Sequence, residues 1–111
     1  MNAAFEHIAQ ARFILARIFE SGFYFCGNVG DEIKDLKKQA EELALGGGAE
    51  LLNKLGAELA ALRAGAGSVS GAAIVYSNLI SYYRMISKAL ILETLSIIKQ
   101  DCCSDGQLQK N

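Results

Sequence analysis

The sequence lacks proline and tryptophan, and it has a single histidine among its 111 residues. Because proline is the residue that most strongly interrupts a helix, its absence leaves the whole length open to helix formation. The chain also lacks the excess of basic residues that a dedicated nucleic-acid binder carries, since its net charge is −1. We therefore expect no nucleic-acid partner. The opening MNAAFEHIAQARF has no basic stretch of the kind that starts a secretory signal, and we expect a cytoplasmic protein.

Long apolar runs are missing as well. The longest uncharged window, residues 64–83, contains three glycines, four serines and an asparagine, which makes it too polar to cross a membrane. The sequence also supplies no basic amphipathic helix that would lie on a membrane surface. We therefore expect no membrane partner.

Cysteine is scarce, with three residues in the chain. In a chain without a secretion signal, such cysteines are expected to be free thiols. Cys26 follows the first predicted helix, whereas Cys102 and Cys103 end the last one, so an antiparallel bundle separates them too far for a disulfide. For Cys102 and Cys103, an intermolecular bridge and redox sensing stay open as alternatives.

The residues that are present favour helices. Hydrophobic residues make up 51% of the chain, and glycine-rich stretches at residues 26–30, 46–48 and 65–71 divide it into four apolar-patterned pieces. Apolar residues recur within each piece at spacings of three and four, the period of a helix. The predicted helices span residues 2–25, 31–45, 49–64 and 70–101.

These helices predict an all-α fold, an antiparallel up-down-up-down four-helix bundle with long outer helices and a short central hairpin. Residues 1–103 form its single domain, and residues 104–111 form a polar C-terminal tail. At about 1.5 Å per residue, the central hairpin is too short to cover the outer helices along their full length. We expect the uncovered ends to form a homodimer interface, because exposed apolar patches mark interfaces. The candidate interface residues are Phe5, Ile8, Ile91, Leu95 and Ile98.

Two charged residues interrupt the apolar stripes of the outer helices. Arg12 lies on the first helix, and Glu93 lies within SKALILETLSIIKQDCC on the fourth. Since an unpaired charge is costly in an apolar setting, we predict that they form a buried ion pair. The alternatives are a polar functional site built from Arg12, Glu93 and His7, and two side chains that reach out to solvent.

Two further motifs resemble known sites only weakly. Glu32 and Asp35 have the E-x-x-D spacing with which all-helical nucleotide pyrophosphatases hold magnesium. The second acidic pair that such a site needs is missing, because Arg17 stands three residues before Glu20. The stretch GAGSVSG, residues 65–71, precedes a helix but lacks the strand and lysine of a phosphate-binding loop. We expect no metal site and no cofactor.

The segment ARIFESGFYFCGNVGDEIKDLKKQAEELALGGGAELLNKLGAELAALRAG, residues 16–65, resembles the helical segments that accompany SWIM-type zinc fingers. In those proteins, too, leucine-patterned helices turn at a glycine between EELA and L-x-x-L. The zinc-binding C-x-C and C-x-H elements are absent here. The resemblance therefore implies a helical scaffold and assigns no functional residue.

The expected function is a non-catalytic protein–protein interaction module, such as an adaptor, a regulator or an accessory subunit. It would act as a homodimer, with a further protein as its target. The alternative is a small-molecule binding protein or enzyme with a polar site between the first and fourth helices. A groove with convergent polar groups would favour the alternative, and a filled core with an apolar dimer face would favour the module.

Overall fold

A computed structural model describes the backbone of residues 3–23 and 29–106 and the side chains of residues 3–23 and 29–98. Cys26 and the last five residues of the predicted tail lie outside this part of the chain, as do the side chains of Cys102 and Cys103. The described residues form four helices and no strand, which confirms the all-α prediction. The helices are α1 (Ala3–Ser21), α2 (Val29–Glu42), α3 (Gly46–Arg63) and α4 (Val69–Gly106).

The four helices pack as a closed ring. Each helix contacts the next one along the chain, and α4 returns to contact α1. Hydrogen bonds show the antiparallel arrangement of α1 and α4, since His7 meets Tyr83 whereas the later Leu15 meets the earlier Tyr76. The predicted up-down-up-down bundle is therefore confirmed. Its core consists of the apolar stripes of the four helices, with Tyr83 as the largest fully buried side chain.

The ends of the helices differ from the predicted ones by a few residues. The predicted second helix runs to residue 45, but α2 ends at Glu42 and Ala44 takes the left-handed conformation, with φ 61°. Leu45 N–H donates to the carbonyl of Ala40, and Ala44 N–H donates to that of Glu41, a Schellman motif. The same motif ends α3, where Gly65 has φ 78°.

Glycines 46–48 belong to the first turn of α3 rather than to a loop. A Cβ atom on Gly48 would lie 2.7 Å from Cε2 of Tyr82, so the ring of Tyr82 occupies the space that a side chain would need. The glycines therefore let α3 start in close contact with α4. At the start of α4, the hydroxyl of Ser68 accepts a hydrogen bond from Gly71 N–H, so Ser68 caps this helix, which begins at Val69, one residue before the predicted start.

The predicted overhang exists on one outer helix only. Helix α1 ends at Ser21, earlier than predicted, and the end of α2 lies beside its start, where His7 bonds to Gln39. Ile8 is consequently 4% exposed and packs in the core, so its assignment to a dimer interface was wrong. Phe5 is half-buried. Helix α4 has 38 residues, about 57 Å, and accounts for the long dimension of 66 Å.

Leu90 is the last residue of α4 that packs against the core. Residues 91–98 continue the helix, and every one of them is exposed. We refer to residues 91–98 as the α4 extension. Across residues 3–23 and 29–106, no helix combines the length and the apolar character that crossing a membrane requires.

Candidate functional site

A groove of about 600 Å³ runs between α1 and α4. Its volume lies in the range typical of small-molecule sites, about 300–1,000 Å³. Apolar side chains supply most of its surface, and Phe19 stands at its edge with 77% of its surface exposed. The apolar lining comes from Leu15, Ala16, Phe19, Ile80, Ile91 and Leu92.

The charged lining of this groove is predominantly basic. It contains Arg12, Arg84 and Lys88 and a single carboxylate, Glu20. Within the described part of the chain, no ion pair joins any of these three cations to a carboxylate. The groove therefore concentrates positive charge on a chain whose net charge is −1. Such a surface favours anions.

The two tyrosines of the groove use their hydroxyl groups within the protein. Tyr76 donates a hydrogen bond of 2.7 Å to the backbone carbonyl of Leu15. The hydroxyl of Tyr83 lies 2.7 Å from Nε2 of His7. Burial raises the pKa of both tyrosines, and the neighbouring Tyr82 raises that of Tyr83 further. Both groups therefore remain neutral hydroxyls at ordinary pH, and the tyrosines add carbon surface to the groove.

His7 lies in the core and is 2% exposed. Its Nδ1 is 3.0 Å from Oε1 of Gln39, which can only accept a hydrogen bond, so Nδ1–H is the donor. Nε2 then accepts the proton of the Tyr83 hydroxyl. This network joins α1, α2 and α4 and satisfies both ring nitrogens, which is the usual requirement for a buried polar group.

The predicted ion pair between Arg12 and Glu93 was wrong. Both residues are exposed, and no ion pair joins them among the described side chains. Glu93 continues the register of the core stripe, but it lies beyond Leu90, the last residue of α4 that packs against the core. The predicted cluster of Arg12, Glu93 and His7 does not form either. Arg12 lines the groove, Glu93 lies on the α4 extension, and His7 is enclosed in the core.

Five of the eight residues in the α4 extension are large and apolar. Its five large apolar side chains are about half exposed: Ile91 48%, Leu92 57%, Leu95 54%, Ile97 56% and Ile98 50%. At 100° per residue, Ile91, Leu95 and Ile98 form one stripe, and Glu93 lies about 160° around the helix from Ile91. The exposed positions of Ile91, Leu95 and Ile98 agree with the sequence-based expectation. Leu92 and Ile97 were not in the predicted set.

The alternative prediction of a site between the first and fourth helices included Arg12, which lines the groove. It did not include Arg84 or Lys88, and the histidine network was not predicted. Gln39 had a weak signal, because it follows Leu36 by three residues and borders the apolar stripe of α2. Arg84 and Lys88 are four residues apart on α4, and nothing in that spacing indicates that they line a groove together with Arg12 of α1.

The E-x-x-D motif has an ordinary structural explanation. One guanidinium nitrogen of Arg17 donates to both carboxylate oxygens of Glu32, at 2.9 and 2.8 Å. This ion pair joins α1 to α2 and uses the carboxylate that a metal would need. In the described part of the chain, no group of three or more histidine, cysteine, aspartate or glutamate residues could hold a metal ion.

Comparison with known proteins adds no relative: no protein-family model, no curated protein and no solved structure matches this chain. The likeness of residues 16–65 to SWIM-associated helices therefore stays a prediction. The site must be interpreted from its own geometry.

Proposed function

We propose that this protein is a non-catalytic helical interaction module that acts as a homodimer, with the α4 extension of one copy packed against that of the other. The observation that carries the proposal is the exposure of five large apolar side chains on residues 91–98, beyond the end of the bundle. A helix with that surface gains stability by packing against another helix.

A second copy fits this surface better than an unrelated chain does. Ile91, Leu95 and Ile98 recur at spacings of four and three, the pattern with which two helices interlock along a seam. A two-fold axis crossing this seam would place the same residues opposite each other in antiparallel helices, and two-fold dimers are the commonest oligomers. Glu93, on the far side from this seam, would remain in water.

The core supports a role in binding rather than in catalysis. His7, the only histidine, has both ring nitrogens bonded to Gln39 and Tyr83 and is closed off from solvent. A general base must reach the proton that it removes, and this imidazole is 2% exposed and does not line the groove between α1 and α4. Such a dimer would act on a further protein, as an adaptor, a regulator or an accessory subunit.

Light scattering of the full chain tests the proposal directly. We expect twice the mass of one chain at micromolar concentration, and Leu95→Lys should shift the mass to that of a monomer. Ile74→Lys is the matched control, because Ile74 is 62% exposed on the same helix but lies within the bundle. A wild-type monomer at about 100 µM, which corresponds to binding weaker than about 5.5 kcal/mol, would contradict the proposal.

A further inference from the structure

The groove between α1 and α4 has two chemically different ends. The two helices are antiparallel. Arg12 precedes Leu15 on α1, and Arg84 and Lys88 follow Tyr76 on α4, so all three cations line the groove on the same side of the contact between Leu15 and Tyr76. The opposite end is formed by Phe19 and Glu20. Toward the start of α1 the groove therefore carries the three cations, with Ile91 and Leu92 beyond Lys88 on α4. Toward the end of α1 it carries an aromatic ring and the only carboxylate of its lining.

Between the ends, the groove is apolar. Leu15, Ala16 and Ile80 line it, and the hydroxyl groups of the two tyrosines are already bonded elsewhere. A ligand in this middle part would meet carbon surface and would need no hydrogen bonds of its own. An extended hydrocarbon chain satisfies that requirement, because the gain on burial scales with apolar area.

We propose that this groove binds a long-chain carboxylic acid, with the carboxylate at Arg12, Arg84 and Lys88 and the hydrocarbon tail directed toward Phe19. The cations favour an anion, and guanidinium groups form strong charge-assisted hydrogen bonds with carboxylates. Glu20 repels a carboxylate from the far end, which sets the direction of the ligand. The site lies within one chain, so it does not depend on the proposed dimer.

A single tryptophan can report on this site, because the natural chain contains none. Phe19→Trp places the indole at the exposed edge of the groove. Titration with dodecanoate, below the concentration at which it forms micelles, should shift the tryptophan emission to shorter wavelength and saturate. Dodecyltrimethylammonium has the same tail with the opposite charge, and acetate has the head group without the tail. Neither is expected to produce the saturating shift.

Variants made in this reporter background identify the residues that bind. Arg12→Ala and Arg84→Ala should each weaken dodecanoate binding about tenfold, the effect of losing one hydrogen bond between charged groups. Lys38→Ala is the matched control, since Lys38 is exposed on α2, outside the groove, and should leave the affinity unchanged. Ala16→Phe fills the groove from an exposed position and should abolish the shift. Circular dichroism of each variant checks the fold.

Three results would overturn the proposal: no saturable response to dodecanoate, equal affinity for the cationic amphiphile, or equal affinity in the Arg12→Ala and Lys38→Ala variants. A shift that occurs with anionic vesicles and not with monomeric dodecanoate would also overturn it in favour of a membrane surface. The titration is repeated in the Leu95→Lys variant, where retained binding is expected. Loss of dodecanoate binding in this variant would contradict a site formed by one chain. This conclusion would hold whether or not the wild-type chain forms a dimer.

Discussion

At the scale of single residues, the buried histidine depends on partners from two other helices. The Tyr83 hydroxyl gives Nε2 of His7 its hydrogen bond, and Gln39 accepts from Nδ1. A buried polar atom that loses its only partner costs about 1–3 kcal/mol. The network therefore requires α1, α2 and α4 to keep their relative positions.

Replacement of Tyr83 by phenylalanine tests this dependence. We expect Tyr83→Phe to lower the free energy of unfolding by about 1–3 kcal/mol, because Nε2 of His7 is left unpaired in the core. Tyr82→Phe is the control, since it removes the same atom from a half-buried neighbour and should cost at most about 0.5 kcal/mol. Urea denaturation of both variants measures the difference. Equal losses would show that the histidine bond contributes nothing specific.

Tyr83 also predicts how stability changes with pH. Burial, and secondarily Tyr82, raises the pKa of Tyr83 above its ordinary value of 10.0, so the folded state favours the neutral phenol. This contribution is fully present below pH 10, and it is lost as the pH rises from there through the folded-state pKa. We expect the free energy of unfolding to fall above pH 10, and to fall less steeply in Tyr83→Phe. Parallel curves for the two proteins would rule out this role.

At the scale of helices, the two Schellman ends provide a natural comparison. Ala44 and Gly65 have similar left-handed backbones, but only Ala44 carries a Cβ atom. A left-handed conformation costs a non-glycine residue about 1–2 kcal/mol. A glycine at position 44 would relieve this strain, but glycine also gives the unfolded chain more conformational freedom, which offsets part of the stability gained.

Exchanging the two residue types should shift stability in opposite directions. We expect Ala44→Gly to raise the free energy of unfolding by about 0.5–1 kcal/mol and Gly65→Ala to lower it by about 1 kcal/mol. A Cβ on Gly65 meets nothing within 4 Å, so the loss would come from backbone strain and not from a clash. Chemical denaturation of the two variants gives the comparison. Destabilisation by Ala44→Gly would show that the turn has no strain to relieve.

At the scale of the whole molecule, α4 is longer than the bundle that it helps to form. The α4 extension leaves apolar surface in water, and the groove beside it collects positive charge. The two features offer different chemistry, one for a helix of a second copy and one for an amphiphilic acid. They adjoin at Ile91 and Leu92, which belong to the extension and also line the groove.

Association through the α4 extension predicts a melting temperature that depends on protein concentration. Because a dimer is favoured by mass action, we expect the melting temperature of the wild-type chain to rise with concentration. In Leu95→Lys it should stay constant, whereas Ile74→Lys should retain the rise. Thermal denaturation across a hundredfold concentration range measures this. A wild-type midpoint that does not move would contradict a dimer coupled to folding.

The apolar periodicity by itself determined the four helices, and the short connections between them favoured the antiparallel order. This follows because helix period and burial are local properties of the pattern. The predicted helix lengths also placed Ile91, Leu95 and Ile98 beyond the hairpin. The pairing of Arg12 with Glu93 and the exposure of Ile8 failed because both required the relative heights of helices.

Only the tertiary structure decided those heights. Small differences in where helices end move side chains by a turn, so α1 came to be covered along its length while α4 was not. The same packing placed Arg12 in a groove that Arg84 and Lys88 also line, and it enclosed His7 between Tyr83 and Gln39. Such contacts join residues far apart in sequence, and their geometry depends on packing that the spacing of apolar residues does not specify.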